Sequence, residues 1–328
     1  MKKVLIALLA LCVLALPLVG CAGGGESEAA PADAASTPAA APAGSEATVG
    51  ADDAYATSLA DIEAKGELVI GLDDTFAPMG FRDEAGELVG FDIDLANAVC
   101  EVLGVTATFQ PIDWNAKEME LETGNIDCIW NGMSATPERQ ESMSLSQTYL
   151  NNRIIVMTNE GVQIATKEDL ANYKVGVQAA SAALEAIQAD PAYDSFSANV
   201  TEYPTYDEII LAMQSGREDC MVIDEVFGNY KNSQMDTPLQ VADIDFGDDL
   251  YAIGFRKGDT ELTDAVNDAL NQLIENGRAG EISTEWFGED IVMRPAGMAS
   301  AEEESPASLE GESSSASESA VSEAASAA

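Results

Sequence analysis

Short apolar runs alternate along this chain with segments whose apolar residues recur at helical spacing, and that alternation restricts the fold more than any other feature. Leu68-Val69-Ile70-Gly71-Leu72 is an apolar run of strand length. Between 92 and 103, Leu95, Val99, Val102 and Leu103 fall on one helical face, with Gly104 as a stop. Residues 105–109 then read as a strand, 113–123 as a helix ended by Gly124, and 126–130 as a strand. The order returns further on. Residues 174–177 read as a strand and 181–189 as a helix. Thr205-x-x-Glu208 has the form of a capping box opening a helix to 214, and 220–223 is again a strand. Leu262, Val266, Ala269, Leu270, Leu273 and Ile274 make a last amphipathic stripe, with Thr260 before it and Gly277 after it. Strands separated by helices imply parallel sheet and an α/β architecture. Gly124-Asn125-Ile126-Asp127-Cys128-Ile129 is echoed by Gly216-Arg217-Glu218-Asp219-Cys220-Met221. Two α/β lobes of similar build would produce such an echo.

The ends have a different character. Lys2 and Lys3 precede an apolar run over 4–19, the form of a secretory signal and short for a spanning helix. Leu18-Val19-Gly20-Cys21 resembles the bacterial lipobox, which implies a signal peptide over 1–20 and a lipid on Cys21. Residues 21–55 are rich in Ala, Gly, Pro, Ser and Glu and read as a flexible tether. Residues 296–328 carry seven acids and no base, and read as a disordered acidic tail.

Charge and residue usage exclude several functions. The chain has 15 basic and 58 acidic residues, and residues 51–295 alone hold 47 acids against 13 bases. Such a surface repels phosphate backbones, so no nucleic-acid partner is expected. There is no histidine, which removes Ser-His-Asp and Cys-His nucleophile pairs and histidine metal sites. None of the five cysteines forms a CxxC pair. Cys100, Cys128 and Cys220 lie outside the leader; three allow at most one disulfide, and buried free thiols are expected. No metal and no cofactor are expected; acid–base chemistry by Asp or Glu stays open.

Gly90-Phe91-Asp92-Ile93-Asp94-Leu95, followed by Val99-Cys100 and Leu103, resembles the signature of the family-3 bacterial solute-binding proteins, which bind polar amino acids. Gly280-Glu281-Ile282 and Glu285-Trp286-Phe287-Gly288 look like that family's closing helix, and the resemblance covers about 58–290. Asp92 and Asp94 read as fold markers, since a helix start favours acids. The resemblance implies a two-lobe periplasmic-binding-protein-like fold of type II. Lobe 1 would be 58–154 plus 254–292 and lobe 2 would be 158–248, with crossing segments at 152–158 and 250–257. It implies the extracellular substrate-binding component of an amino-acid importer of the ATP-binding-cassette type. The partners would be a free amino acid, neutral polar or basic, a permease and its ATPase, and the membrane through the lipid. A monomer without catalytic activity is expected. The alternatives are a sensory binding module and a dehydratase-type enzyme working through Asp73 or Glu225.

A zwitterion entering a cleft must keep both charges paired. Asn131-Gly132-Met133-Ser134-Ala135-Thr136-Pro137-Glu138-Arg139 leads from a strand into a helix, with Thr136 as cap and Pro137 in the first turn. By resemblance Arg139 grips the substrate carboxylate, and Asn131, Gly132 and Ser134 bond the head group. Asp224, after an apolar strand, matches the aspartate that pairs with the ammonium. Gln178 and Ser181 lie in the matching turn of the second lobe, where Ala182 departs from the usual hydroxyl residue. Phe76 and Trp114 match the aromatic walls, and Asp73 matches an acid that can meet a cationic side chain.

Overall fold

The computed structural model describes residues 58–295. The expected signal peptide, the lipid site at Cys21, the tether and the acidic tail lie outside the described residues. Among the described residues the strands form two five-stranded sheets and one small three-stranded sheet. In the first large sheet the strands lie in the order Thr106–Pro111, Glu67–Leu72, Cys128–Ile129, Gly254–Phe255, Ser144–Leu145. Glu67–Leu72 pairs in parallel with both of its neighbours. In the second sheet the order is Val200–Tyr203, Val175–Gln178, Cys220–Asp224, Leu150–Thr158, Gln240–Tyr251. There Val175–Gln178 is parallel to both neighbours, and the last two strands are antiparallel.

The apolar run at 68–72 is thus the centre of a parallel array, where both faces are covered and an apolar strand is stable. Helix Phe91–Leu103 buries Leu95, Val99 and Cys100 and ends at Gly104, which takes the left-handed conformation with φ 74°. Helix Thr260–Glu275 buries the stripe read from the sequence, and packs with Phe91–Leu103 and Arg278–Phe287. Its N-cap is Asp259, so Thr260 is the first helical residue rather than the cap, and Gly277 separates it from Arg278–Phe287. The helix expected over 113–123 is split. Asp113 Oδ1 accepts from Asn115 N–H at 2.9 Å and opens a 3-10 turn, Trp114–Ala116, ahead of helix Lys117–Glu122. The expected capping box at Thr205 is half present: Thr205 Oγ1 accepts from Glu208 N–H, and no bond returns.

The six-residue echo marks one junction built twice. Gly124 and Gly216 both take positive φ, 75° and 71°, where a helix hands over to a strand. Asp127 N–H donates to Val69 O at 2.7 Å, and its carboxylate accepts from Val69 N–H at 2.7 Å. Asp219 does the same with Lys174, at 3.0 and 2.9 Å. Each aspartate thereby extends the ladder between neighbouring strands before the next begins at Cys128 or Cys220. Those two thiols and Cys100 are buried and free.

The chain leaves the first sheet after Leu145, enters the second at Leu150, and returns between Tyr251 and Gly254. The 152–158 stretch runs as ladder within the second sheet. Leu150–Thr158 and Gln240–Tyr251 are thus the linking strands, joined to the first sheet through 146–149 and 252–253.

Left-handed backbone costs a Cβ-bearing residue roughly 1–2 kcal/mol. Gly124→Ala and Gly216→Ala are each expected to lower unfolding stability by about 1 kcal/mol. Equilibrium denaturation checks this; stability unchanged in both variants would contradict the shared-junction account.

Candidate ligand site

The parallel strands of both sheets end at one cavity. Asp73, Phe76, Trp114, Asn131, Gly132, Ser134, Arg139, Gln178, Ser181, Ala182 and Asp224 line it. Every ligand-site residue expected from the sequence is in that lining. Their places follow from topology, because chain emerging at the carboxyl ends of parallel strands is free to turn toward a crevice. Asp73 follows Leu72, Asn131 follows Ile129, Ser181 follows Gln178, and Asp224 ends its own strand.

Arg139 stands in the first turn of helix Pro137–Ser142, capped by Thr136 with Pro137 in place. Only 3% of it is exposed. Nη1 donates to Ser134 O at 3.0 Å, while Nη2 donates to Ala180 O at 3.4 Å and Glu185 Oε1 at 3.3 Å. Its Nε is buried without a partner among the described residues, as is Asn131 Nδ2. Asn131 Oδ1 accepts from Asp73 N–H at 3.1 Å, which leaves Nδ2 as the amide's free end.

Asp224 occupies the N-cap position of helix Glu225–Gln234, yet its side chain makes no capping bond. The carboxylate instead accepts from Asn152 Nδ2 at 2.7 Å and from the hydroxyls of Tyr206 and Tyr251, each at 2.9 Å. Burial, with Asp249 adding like charge, pushes its pKa up to about 6. Asp73 combines two duties. Oδ1 accepts from Thr75 N–H and Oγ1, at 2.9 and 2.6 Å, and Oδ2 accepts from Gln178 Nε2 across the cavity at 3.0 Å. Desolvation raises its pKa.

Several lining groups are already engaged. Gly132 N–H donates to Asp92 Oδ2 at 2.7 Å. Gly132 takes φ 55°, and a Cβ there would lie 2.8 Å from the Phe76 ring, so only glycine fits. Ser134 Oγ donates to Asp249 Oδ2 at 2.6 Å. Ser181 caps helix Ala182–Ala189, accepting from Leu184 N–H at 3.1 Å and donating to Gln178 O at 2.7 Å. Phe76 stacks on Phe227 at 5.2 Å and meets Tyr206 at 5.9 Å, so the aromatic wall joins the small three-stranded sheet to helices Tyr206–Gln214 and Glu225–Gln234. Lys117 Nζ and Arg139 Cζ lie 5.0 and 6.0 Å from the Trp114 ring centre. Glu225 is not in the lining.

Sequence reasoning missed Lys117, Asn152, Tyr206, Phe227, Asp249 and Tyr251. Lys117 is 1% exposed and donates to Ala180 O at 2.9 Å. The carbonyl that receives it belongs to a residue held at φ 52°, rare for alanine. Asp92 and Asp94 do more than suit a helix start. Asp92 holds Gly132 and the Tyr149 hydroxyl, and Asp94 Oδ2 accepts from Trp286 Nε1 at 2.8 Å. The two ends of the family resemblance are therefore in contact.

The sequence model of the bacterial extracellular solute-binding proteins, family 3, matches residues 68–289. The chain belongs to this family. As a family-3 solute-binding protein it is similar to the L-cystine-binding protein TcyJ of Escherichia coli, at 27% identity over 70% of this chain and 86% of that one. It is also similar to the L-arginine-binding protein of Pseudomonas aeruginosa, at 28% identity over 71% and 93%. Among solved structures, a substrate-binding protein of an ABC uptake transporter from Streptococcus pneumoniae, with bound histidine, superposes with a TM-score of 0.68. It is 35% identical, covering 74% of this chain and 99% of that one. The fold is the type II periplasmic-binding-protein fold, and these relatives are binding proteins.

Asp92 gives a sign-definite test of the site's foundations. Burial raises its pKa to about 7, so the folded protein favours the protonated acid. The resulting instability is absent below the unfolded value near 4, grows as pH rises, and is complete above about 7. Asp92→Asn removes the charge and keeps an acceptor for Gly132. The melting temperature of Asp92→Asn minus that of wild type is expected to increase from pH 4 to pH 7 and then level off.

Proposed function

We propose that this protein captures a free amino acid between two lobes and hands it to the permease and ATPase of an ABC importer. The lobes would be 58–154 with 254–292, and 158–248, closing by hinge motion of the two linking strands. The reading rests on one arrangement: Arg139, beside the first sheet, and Asp224, on the second, face one cavity with opposite charges. Arg139 Nε, Asn131 Nδ2 and the start of helix Ala182–Ala189 offer donors for a carboxylate. Asp224 offers an acceptor for an ammonium. The closed state then pairs both charges of a zwitterion, which ties closure to occupancy.

The lining holds one cation, Arg139, against two carboxylates, Asp73 and Asp224. A zwitterion leaves one carboxylate in excess, and Asp73 beside Gln178 presents acceptors. A side chain that donates hydrogen bonds, cationic or amide, suits this end, with its stem between Phe76 and Trp114. A carboxylate side chain does not.

The family is extracellular, and a lipid on Cys21 would tether the protein to the outer face of the membrane. We propose a monomeric carrier that returns its ligand unchanged. Its relatives are binding proteins, and Glu225, one of the acids considered for catalysis, lies beside Arg153 rather than in the lining.

A thermal-shift screen of residues 51–295, refolded from denaturant, is expected to show stabilisation by L-arginine, L-glutamine or L-histidine and none by L-glutamate. Arg139→Ala and Asp224→Asn should each weaken binding on the order of 100-fold or more, with the circular-dichroism spectrum retained. Unchanged affinity would overturn the site. Cys21→Ser is expected to move the protein from the membrane to the soluble fraction of its host cells.

A further inference from the structure

The two linking strands pair with Asn152 opposite Asp249. Asn152 Nδ2 donates to Asp224 Oδ1 at 2.7 Å and to Asp249 Oδ2 at 2.8 Å. Its Oδ1 accepts from Val226 N–H at 3.3 Å, so three bonds fix the amide's orientation. The same Asp249 oxygen accepts from Ser134 Oγ at 2.6 Å. Ser134 bridges by its backbone to Tyr251, and its carbonyl receives Arg139 Nη1 at 3.0 Å. An unbroken relay, Ser134–Asp249–Asn152–Asp224, thus joins the Arg139 segment to the carboxylate on the other sheet. It passes through both linking strands.

Two carboxylates sharing one amide repel each other, and each disfavours the other's charge. Asp224 faces Tyr206, Tyr251 and Asp249. Both tyrosines are pushed well above the ordinary phenol range by burial and stay neutral. Asp249 faces Asp224; burial raises its own pKa, while the bonds from Ser134 and Asn152 and the charge of Arg139 favour its ionised form. Arg153, Glu225 and Asp248 line the hollow beside it.

We propose that Asp249 is a positioning residue for amino-acid capture, holding Ser134 and, through Asn152, Asp224, while its charge governs how far the pH can fall before the ammonium site fails. This rests on Asp224 receiving the ligand's ammonium. A protonated Asp224 cannot pair with that group, so affinity is full above the Asp224 pKa and is lost as pH falls through it. The Asp249 charge raises that threshold. Removing the charge while keeping the acceptor oxygen lets Asp224 stay ionised to lower pH.

The test is calorimetry with L-arginine and L-glutamine, whose side chains do not titrate between pH 5 and pH 8, on wild type, Asp249→Asn and Asp249→Ala. With the wild-type threshold near 6, Kd is expected to rise about tenfold from pH 8 to pH 5. In Asp249→Asn the rise should be about twofold, for a threshold lowered by about one unit. Asp249→Ala, which lacks the acceptor for Ser134 and Asn152, should bind more weakly at pH 8 than Asp249→Asn. The same pH ratio in wild type and Asp249→Asn would overturn the charge effect, and equal affinity of the two variants at pH 8 would overturn the positioning role. Failure of wild type to bind either ligand at pH 8 would overturn the proposed function and this inference together.

Discussion

Arg139 and Asp224 are opposite charges, 3% and 5% exposed, carried on segments that belong to different sheets. A buried charge costs several kcal/mol unless it is paired and hydrogen-bonded. Much of the polar structure around the cavity answers that requirement. Asp224 takes three donors from Asn152, Tyr206 and Tyr251, and Arg139 spends its terminal nitrogens on Ser134, Ala180 and Glu185. What these partners leave open is Arg139 Nε, buried without a partner among the described residues.

The frame that makes this tolerable is apolar. Val175, Val177, Val222 and Ile223 are buried on the second sheet, and Leu68, Ile70 and Leu72 on the first. Packing beneath the strand ends thus carries side chains that also hold one another by hydrogen bonds. Contacts that span the cavity are of another kind. Gln178 to Asp73 and Lys117 to Ala180 are single hydrogen bonds whose partners water could replace. Each such bond is worth only about 1 kcal/mol net, more where one partner is charged. The apolar contacts of Phe76 with Tyr206 and Phe227 and the ion pair of Arg139 with Glu185 add to these bonds between the two halves.

Much of this was legible in the sequence because it is local. Leu68 to Leu72 reads as a strand, Gly104 as a helix stop and Thr136-Pro137 as a helix start, each from a few neighbouring residues. The ten expected lining residues were legible because the family resemblance matches them to that family's site segments. The missed residues have no such signal. Lys117 sits on a short helix among glutamates and reads as a solvated surface lysine. Asp249 lies in a run of acids on an edge strand, where the bland reading is solvent exposure. Tyr206 and Phe227 look like ordinary core aromatics until the second sheet is placed against Phe76. The split of the 113–123 helix was also hidden, because Asp113 competes for the backbone at a position the apolar periodicity does not report.

By itself the sequence determined the class of architecture, pointed through its echo to two lobes of similar build, and named residues that line one cavity. Apolar spacing, glycine conformation and capping act over a few residues, and any chain with this order of signals must bury the same runs. Only the tertiary structure decided which donors remain free. Gly132 N–H belongs to Asp92, the Ser134 hydroxyl to Asp249 and the Ser181 hydroxyl to its own helix. It also decided that Asn152 and Asp249, 97 positions apart, stand opposite each other and join the two halves of the site. Hydrogen bonds are satisfied by whichever group is nearest in space, and nearness between distant residues is set by the packing of sheets, not by the order of the chain.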